Sequence, residues 1–258
     1  MHVIMRYIIL LRYRCRFLVG LIIWVFACLV ESANLSVNPV LITLDGSDSI
    51  AAMTLTNRGE ESVVMQASVS AWSIRDNKEH YEPTARLIVT PPIFEVAPGK
   101  SQIVRVGLSA TASSAVEQSF RIFLEQSPAT PDDEGLVAND NAIKAPRAIQ
   151  MTLRIGIPVF IKPVGVNKRE LVWAVQRLAN GQLRIEAANQ GTRHTKISRL
   201  TLFDQHNSIA SSTIQRYILP GSRRIWLFDV PVKTAASYRI KAETNEGVLE
   251  NTFTTFTP

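Results

Sequence analysis

The sequence predicts an all-β protein made of two immunoglobulin-like β-sandwiches, and three observations carry that prediction. Helical periodicity is almost absent. Short alternating apolar runs recur between Gly, Pro and Asn punctuation. A turn-rich stretch at 162–168, Lys-Pro-Val-Gly-Val-Asn-Lys, parts these runs into two series. Alternation gives each segment one apolar and one polar face, so each series has a core to bury.

Residues 1–33 stand apart. Arg6, Arg12, Arg14 and Arg16 precede an uncharged run from Phe17 to Val30, and small residues follow at Ser32 and Ala33. That order is a secretory signal peptide. The run is shorter than the ~20 residues of a spanning helix, so no stable membrane insertion is expected after cleavage. Cleavage after Ser32 and after Ala33 both fit, with Glu31 less comfortable for the second. Val25-Phe26-Ala27-Cys28 faintly resembles a lipoprotein box, and Phe26 fits it poorly. Cys15 and Cys28 both lie in this segment, so the mature chain holds no thiol in a compartment where disulfides form. Losing four arginines and Glu31 lowers 28 basic and 22 acidic residues to 24 and 21, and the net charge from +6 to +3. Nothing in that balance calls for nucleic acid.

The remaining ~225 residues suit two domains of ~100 each. The expected division is 34–162 and 163–258. In the first, strands are expected at 35–44, 50–57, 63–74, 86–90, 102–108, 118–126 and 148–161; seven is the immunoglobulin-like number. In the second they are expected at 171–176, 183–189, 196–203, 217–219, 224–228, 237–244 and 248–256. An internal echo supports the division. Asn57-Arg58-Gly59 closes a strand as Asn189-Gln190-Gly191 does, and Ala97-Pro98-Gly99 opens one as Leu219-Pro220-Gly221 does. The long irregular stretch 127–147 reads either as a solvated hairpin or as a loop that frees the next strand for a partner.

That next strand is the most informative. Ile149, Met151, Leu153, Ile155 and Ile157 alternate with Gln150, Thr152, Arg154 and Gly156. Its aliphatic face fits two uses, filling the domain's own core or being lent to another protein.

Catalytic and cofactor signatures are missing from the sequence. It has no nucleophile elbow, phosphate loop or zinc spacing. His80, His194 and His206 have no ligand set around them and read as surface residues. Asp132, Asp133 and Glu134 lack the alternating ligands of a calcium loop. No enzyme, metal or cofactor is expected.

Three segments resemble a family. Thr90-Pro91-Pro92-Ile93-Phe94-Glu95-Val96-Ala97-Pro98-Gly99-Lys100-Ser101-Gln102-Ile103-Val104-Arg105-Val106 is similar to periplasmic pilus-assembly chaperones of the PapD type. So are Phe120-Arg121-Ile122-Phe123-Leu124-Glu125-Gln126-Ser127-Pro128 and Ile157-Pro158-Val159-Phe160-Ile161-Lys162-Pro163. The resemblance implies two sandwiches in an L-shaped arrangement, a periplasmic location, and pilus subunits and an outer-membrane usher as partners. The seventh strand would complete a subunit that lacks its last strand. It makes Ile149, Met151, Leu153, Ile155 and Ile157 the donor residues. The family's usual carboxylate anchors would fall at Leu41 and Pro158, which cannot bind an anion. The cation is therefore expected at Arg121, Arg154 or Lys162. Val37-Asn38-Pro39 with Ala71-Trp72-Ser73 looks like the archaic, or alternative, branch. Arg105 and Glu117 are expected as an interdomain ion pair. A second reading is a secreted carbohydrate-binding or adhesive module, with Trp72, Trp173, Trp226 and Tyr81 as a sugar platform.

Overall fold

The computed structural model describes residues 35–45, 50–110, 114–127, 152–204, 207–230 and 237–254. Up to residue 161 the strands are β1 (Leu35–Asn38), β2 (Ile42–Leu44), β3 (Ile50–Asn57), β4 (Val63–Arg75), β5 (Lys78–Pro83), β6 (Leu87–Thr90), β7 (Ile93–Val96), β8 (Ser101–Leu108), β9 (Gln118–Gln126) and β10 (Arg154–Ile161). From residue 171 they are β11 (Leu171–Arg177), β12 (Leu183–Asn189), β13 (Thr195–Asp204), β14 (Asn207–Ser212), β15 (Arg216–Ile218), β16 (Arg223–Phe228), β17 (Ser237–Thr244) and β18 (Gly247–Thr254).

The first ten strands make two sheets, β1-β3-β8-β6 and β2-β10-β9-β4-β5, with β7 also on β4. The last eight make β11-β12-β16 and β14-β13-β17-β18, with β15 on β13. Alternate residues of each facing pair meet in a closed core. Met53, Leu55, Val104 and Val106 meet Met65, Ile122, Leu124 and Val159 in the first; Leu183, Ile185 and Trp226 meet Leu200, Leu202 and Ile240 in the second. Burying each such side chain is worth roughly 1.5 to 3 kcal/mol.

Three departures from the sequence reading have local causes. The expected strand 35–44 is two strands in different sheets, because Pro39 has no N–H to continue a ladder. β1 pairs with β3, and after the break β2 runs parallel to β10. β5, reading Lys-Glu-His-Tyr-Glu-Pro, is an edge strand too charged to show alternation. β7 and β14 were also absent from the sequence reading, being short strands that their partners define.

The echo noticed in the sequence is one corner built twice. Asn57 Nδ2 donates to the carbonyls of Glu61 and Val96, and its Oδ1 accepts from the Gly59 amide. Asn189 Nδ2 donates to the carbonyls of Arg193 and Ile218, and its Oδ1 accepts from the Gly191 amide. The two Asn amides donate to Lys100 and Ser222, which follow turns with Gly99 and Gly221 at positive φ.

A third apolar cluster lies between the sandwiches. Trp72, Ile74 and Phe160 of the first pack against Leu219 and Tyr217 of the second. The His194 ring stacks on Phe160 at 3.7 Å between centroids.

Candidate functional site

Strand β10 has two environments along its length. Near its end it is flanked by β9 on one side and β2 on the other, the β2 contact running only from Val159 to Ile161. The Gln126 amide donates to the Leu153 carbonyl, which fixes the hydrogen-bond phase: odd-numbered residues bond β9 and even-numbered ones face away. The N–H and C=O of Arg154 and Gly156 therefore point to a side that no described residue covers. Pro158 is on the same side, so its missing N–H costs nothing to the β9 ladder.

The side chains alternate as the sequence suggested, with different partners. Ile157 is 1% exposed in the first core, and Ile155 packs against that core. Ile157 is thereby corrected from the donor set, since its pocket is its own domain. Leu153 is half-buried at the start of the open stretch. Ile149 and Met151 lie outside the described residues.

The opposite face of this sheet is the wall of the interdomain seam, and Arg121 lies along it from β9. Its Cδ would be 3.1 Å from a side-chain carbon at Gly156, so the glycine leaves room for the stem. Its guanidinium lies 4.2 Å from the Trp72 ring centroid. Arg121 Nη1 donates to the Tyr81 hydroxyl at 2.8 Å and to Glu79 Oε2 at 3.2 Å, and Tyr81 in turn donates to Glu79. Burial, then the bond to Glu79, push the Tyr81 hydroxyl well above its usual range, against the pull of Arg121. It stays protonated and donates. From the second sandwich Arg224 Nη2 reaches Glu79 Oε1 at 3.0 Å.

The other two cation candidates also have acids. Arg154 pairs with Glu125 at 2.7 Å and covers the Phe123 ring, but keeps 60% of its side chain exposed. Lys162 pairs with Asp45 at 3.2 Å, at the far end of β10.

Sequence reasoning missed the latch that joins the sandwiches. The β4–β5 turn carries Asp76 and Asn77 at φ 50° and 64°, the geometry of a type I′ hairpin. Asn77 Nδ2 donates to the Ile225 carbonyl, and its Oδ1 accepts from the Ile225 amide and from Arg216. Its carbonyl accepts from Arg224 at 2.7 Å. The Asp-Asn pair between 63–74 and the next apolar run was the available signal for the turn; its target across the seam had none.

Two expectations at the seam are corrected. Glu117 pairs not with Arg105, which is exposed on β8, but with His194 and Arg193 of the second sandwich. His194 is buried, its backbone amide and ring Nδ1 both donating to Glu117 Oε1, rather than a surface residue. The sugar platform also fails. Trp72 and Trp226 are each 4% exposed, and Trp173 packs against the second core.

Two joined β-sandwiches with an uncovered strand edge beside a cationic seam form a scaffold for binding another polypeptide. Residues 34–167 match the family described as pili and flagellar-assembly chaperone, PapD N-terminal domain. The chain belongs to that family. The chaperone protein LpfB of Salmonella typhimurium is 20% identical over 174 residues, covering 67% of this chain and 65% of that protein. The chain thus aligns with just under two thirds of that relative's length. In structure, the CsuC–CsuE chaperone–tip adhesion subunit pre-assembly complex from archaic chaperone-usher Csu pili of Acinetobacter baumannii matches with TM-score 0.63 and 18% identity, over 86% of this chain and 98% of that one. The SafA pilin–SafB chaperone complex of Salmonella enterica gives 0.56 and 13%, over 87% and 98%. The E. coli chaperone DraB gives 0.54 and 20%, over 86% and 99%. At these identities the likeness is one of fold.

Proposed function

We propose that this protein is a non-enzymatic periplasmic chaperone that holds pilus subunits by donor-strand complementation and passes them to an outer-membrane usher. Residues 1–33 are its export leader, 34–162 its subunit-binding domain and 163–258 its second domain. The observation that carries the reading is the uncovered edge of β10 ahead of β2. There the backbone groups of Arg154 and Gly156 are free to extend a ladder, and Leu153 stands half-buried beside them. With Ile157 committed to the core, the lent segment is Ile149, Met151 and Leu153, continued at its inner end by Ile155. A subunit's chain terminus running along this edge brings a carboxylate to the seam. Arg121 is the anchor proposed for it, ahead of Arg154 and Lys162, because it is the most buried of the three at 17% side-chain exposure. The fold of the Csu complex agrees with membership of the archaic branch.

The test is coexpression of the tagged chain with pilins and identification of what copurifies from the periplasm by mass spectrometry. Met151→Asp with Leu153→Asp is expected to leave far-UV circular dichroism unchanged and to abolish capture. Arg121→Ala is expected to weaken capture by about 2 to 5 kcal/mol and Lys162→Ala by less. Undiminished capture by the folded double variant refutes the donor assignment.

A further inference from the structure

The feature left unexplained by subunit binding is the acid already sitting on Arg121. Glu79 is held at both oxygens, Oε1 by Arg224 and Oε2 by Arg121 and Tyr81. Glu79 and its two arginines differ in freedom. The Arg224 side chain is 4% exposed, Arg121 17%, and Glu79 32%, which makes the carboxylate the accessible member. Its grip is also redundant, since Arg224 is independently fixed by the carbonyls of Asn77 and Tyr217. Releasing one oxygen of Glu79 does not undo the latch.

This part of the seam holds more positive than negative charge. Arg121 and Arg224 share the carboxylate of Glu79, and Arg216 shares Asn77 with Arg224. Arg216 donates only to Asn77 and a backbone carbonyl and has no acid partner among the described residues. The guanidinium of Arg121 is under-used: of its five N–H groups, Nη1 carries both bonds, and Nε is buried without a partner among the described residues.

We propose that Glu79 is a resident carboxylate that keeps Arg121 neutralised and aimed until the terminal carboxylate of a subunit takes its place. The proposal rests on Arg121 being the anchor. The incoming carboxylate takes the planar fork of Arg121, and Glu79 stays on Arg224 through Oε1. No bond is broken and no proton moves; one ion pair is exchanged for another in a site of net positive charge. Glu79 is a positioning residue with two opposed effects, orienting Arg121 and competing for it. The Tyr81 hydroxyl, bridging the two, sets how firmly the resident carboxylate is held.

The experiment uses the mature protein and a synthetic peptide copying the last strand of the pilin that copurifies with it, made with a free C-terminal carboxylate and as the C-terminal amide. Binding of both peptides is measured by calorimetry for the wild type and for Glu79→Gln, Tyr81→Phe and Arg121→Ala. Gln keeps an oxygen for Arg224 and loses the charge. The free-acid peptide is expected to bind Glu79→Gln about threefold to fivefold tighter than wild type, the range of a partly exposed ion pair removed as competitor. The amide peptide is expected to be unaffected. Tyr81→Phe is expected to shift the same ratio in the same direction by a smaller factor, and Arg121→Ala to abolish the acid-over-amide preference. An unchanged or weaker acid preference in folded Glu79→Gln, with the preference lost in Arg121→Ala, overturns the exchange and leaves the anchor standing. A preference that survives Arg121→Ala overturns both.

Discussion

Replacing Asn57 by Ala removes three side-chain hydrogen bonds and leaves a buried hole of only a carboxamide. The lost contacts are Nδ2 to Val96 at 2.9 Å and to Glu61 at 2.7 Å, and the Gly59 amide to Oδ1 at 2.9 Å. The residue is 1% exposed, so water replaces few of them. At about 1 kcal/mol net for each bond, plus the added cost of a carbonyl left bare, the expected loss is about 3 to 5 kcal/mol. Against a total of about 5 to 15 kcal/mol for an ordinary domain, that is a large share. Asn189→Ala removes the matching three bonds in the second sandwich and is expected to cost a similar amount. Asn57→Asp is expected to cost more than Ala, because it turns a carboxylate towards two carbonyls. Urea unfolding measures each loss, and hydrogen exchange assigns it to a domain. A loss below about 1 kcal/mol for both Ala variants would show that the repeated corner is a consequence of the fold rather than a support of it.

Two further outcomes follow from the seam. Asn77→Gly keeps the positive φ of the turn while removing the three bonds of its side chain to Ile225 and Arg216. It is expected to raise hydrogen exchange at Ile225 and widen the small-angle scattering profile with both cores intact, and an unchanged profile and exchange pattern would reject the latch. The second outcome concerns alkali. Folding raises the Tyr81 hydroxyl, so its contribution is whole below about pH 10 and is lost as pH climbs through the higher folded value. Tyr81→Phe is therefore expected to lose stability less steeply than wild type above about pH 10 in urea midpoints, and parallel curves would reject the coupling.

Alternation and punctuation were enough to show the fold class, the long strands and the twin corners, because those depend on residues close in sequence. Met65, Ala67 and Val69 alternate on β4 whatever pairs with it. β5 and β7 were not legible, since a four-residue or heavily charged strand is defined by its neighbour's ladder. The seam was the least legible of all. Glu79, Arg121 and Arg224 belong to strands far apart in the chain, and nothing near Glu117 signals His194. Ile157 shows the limit in the other direction. Its place in an alternating run said that it has an apolar face, and only the position of β2 and the facing sheet said whose core that face fills.

An uncovered strand edge is a liability for a protein that must stay free until a subunit arrives, because unpaired N–H and C=O groups template pairing with any chain. Here the exposure is narrow. β2 closes the edge from Val159 onward, and Pro158 removes the next donor. Among the described residues the outward-facing N–H and C=O of Arg154 and Gly156 remain, with the charged Arg154 side chain lying beside them over Phe123. Two residues offer too short a ladder for stable edge-to-edge pairing on their own. Stable pairing therefore has to be supplemented from elsewhere; on the proposed function the supplements are the apolar residues Ile149, Met151 and Leu153 and a carboxylate taken by Arg121. On that proposal a folded stranger supplies no partner for either, while a chain with an open apolar groove and a free terminal carboxylate supplies both.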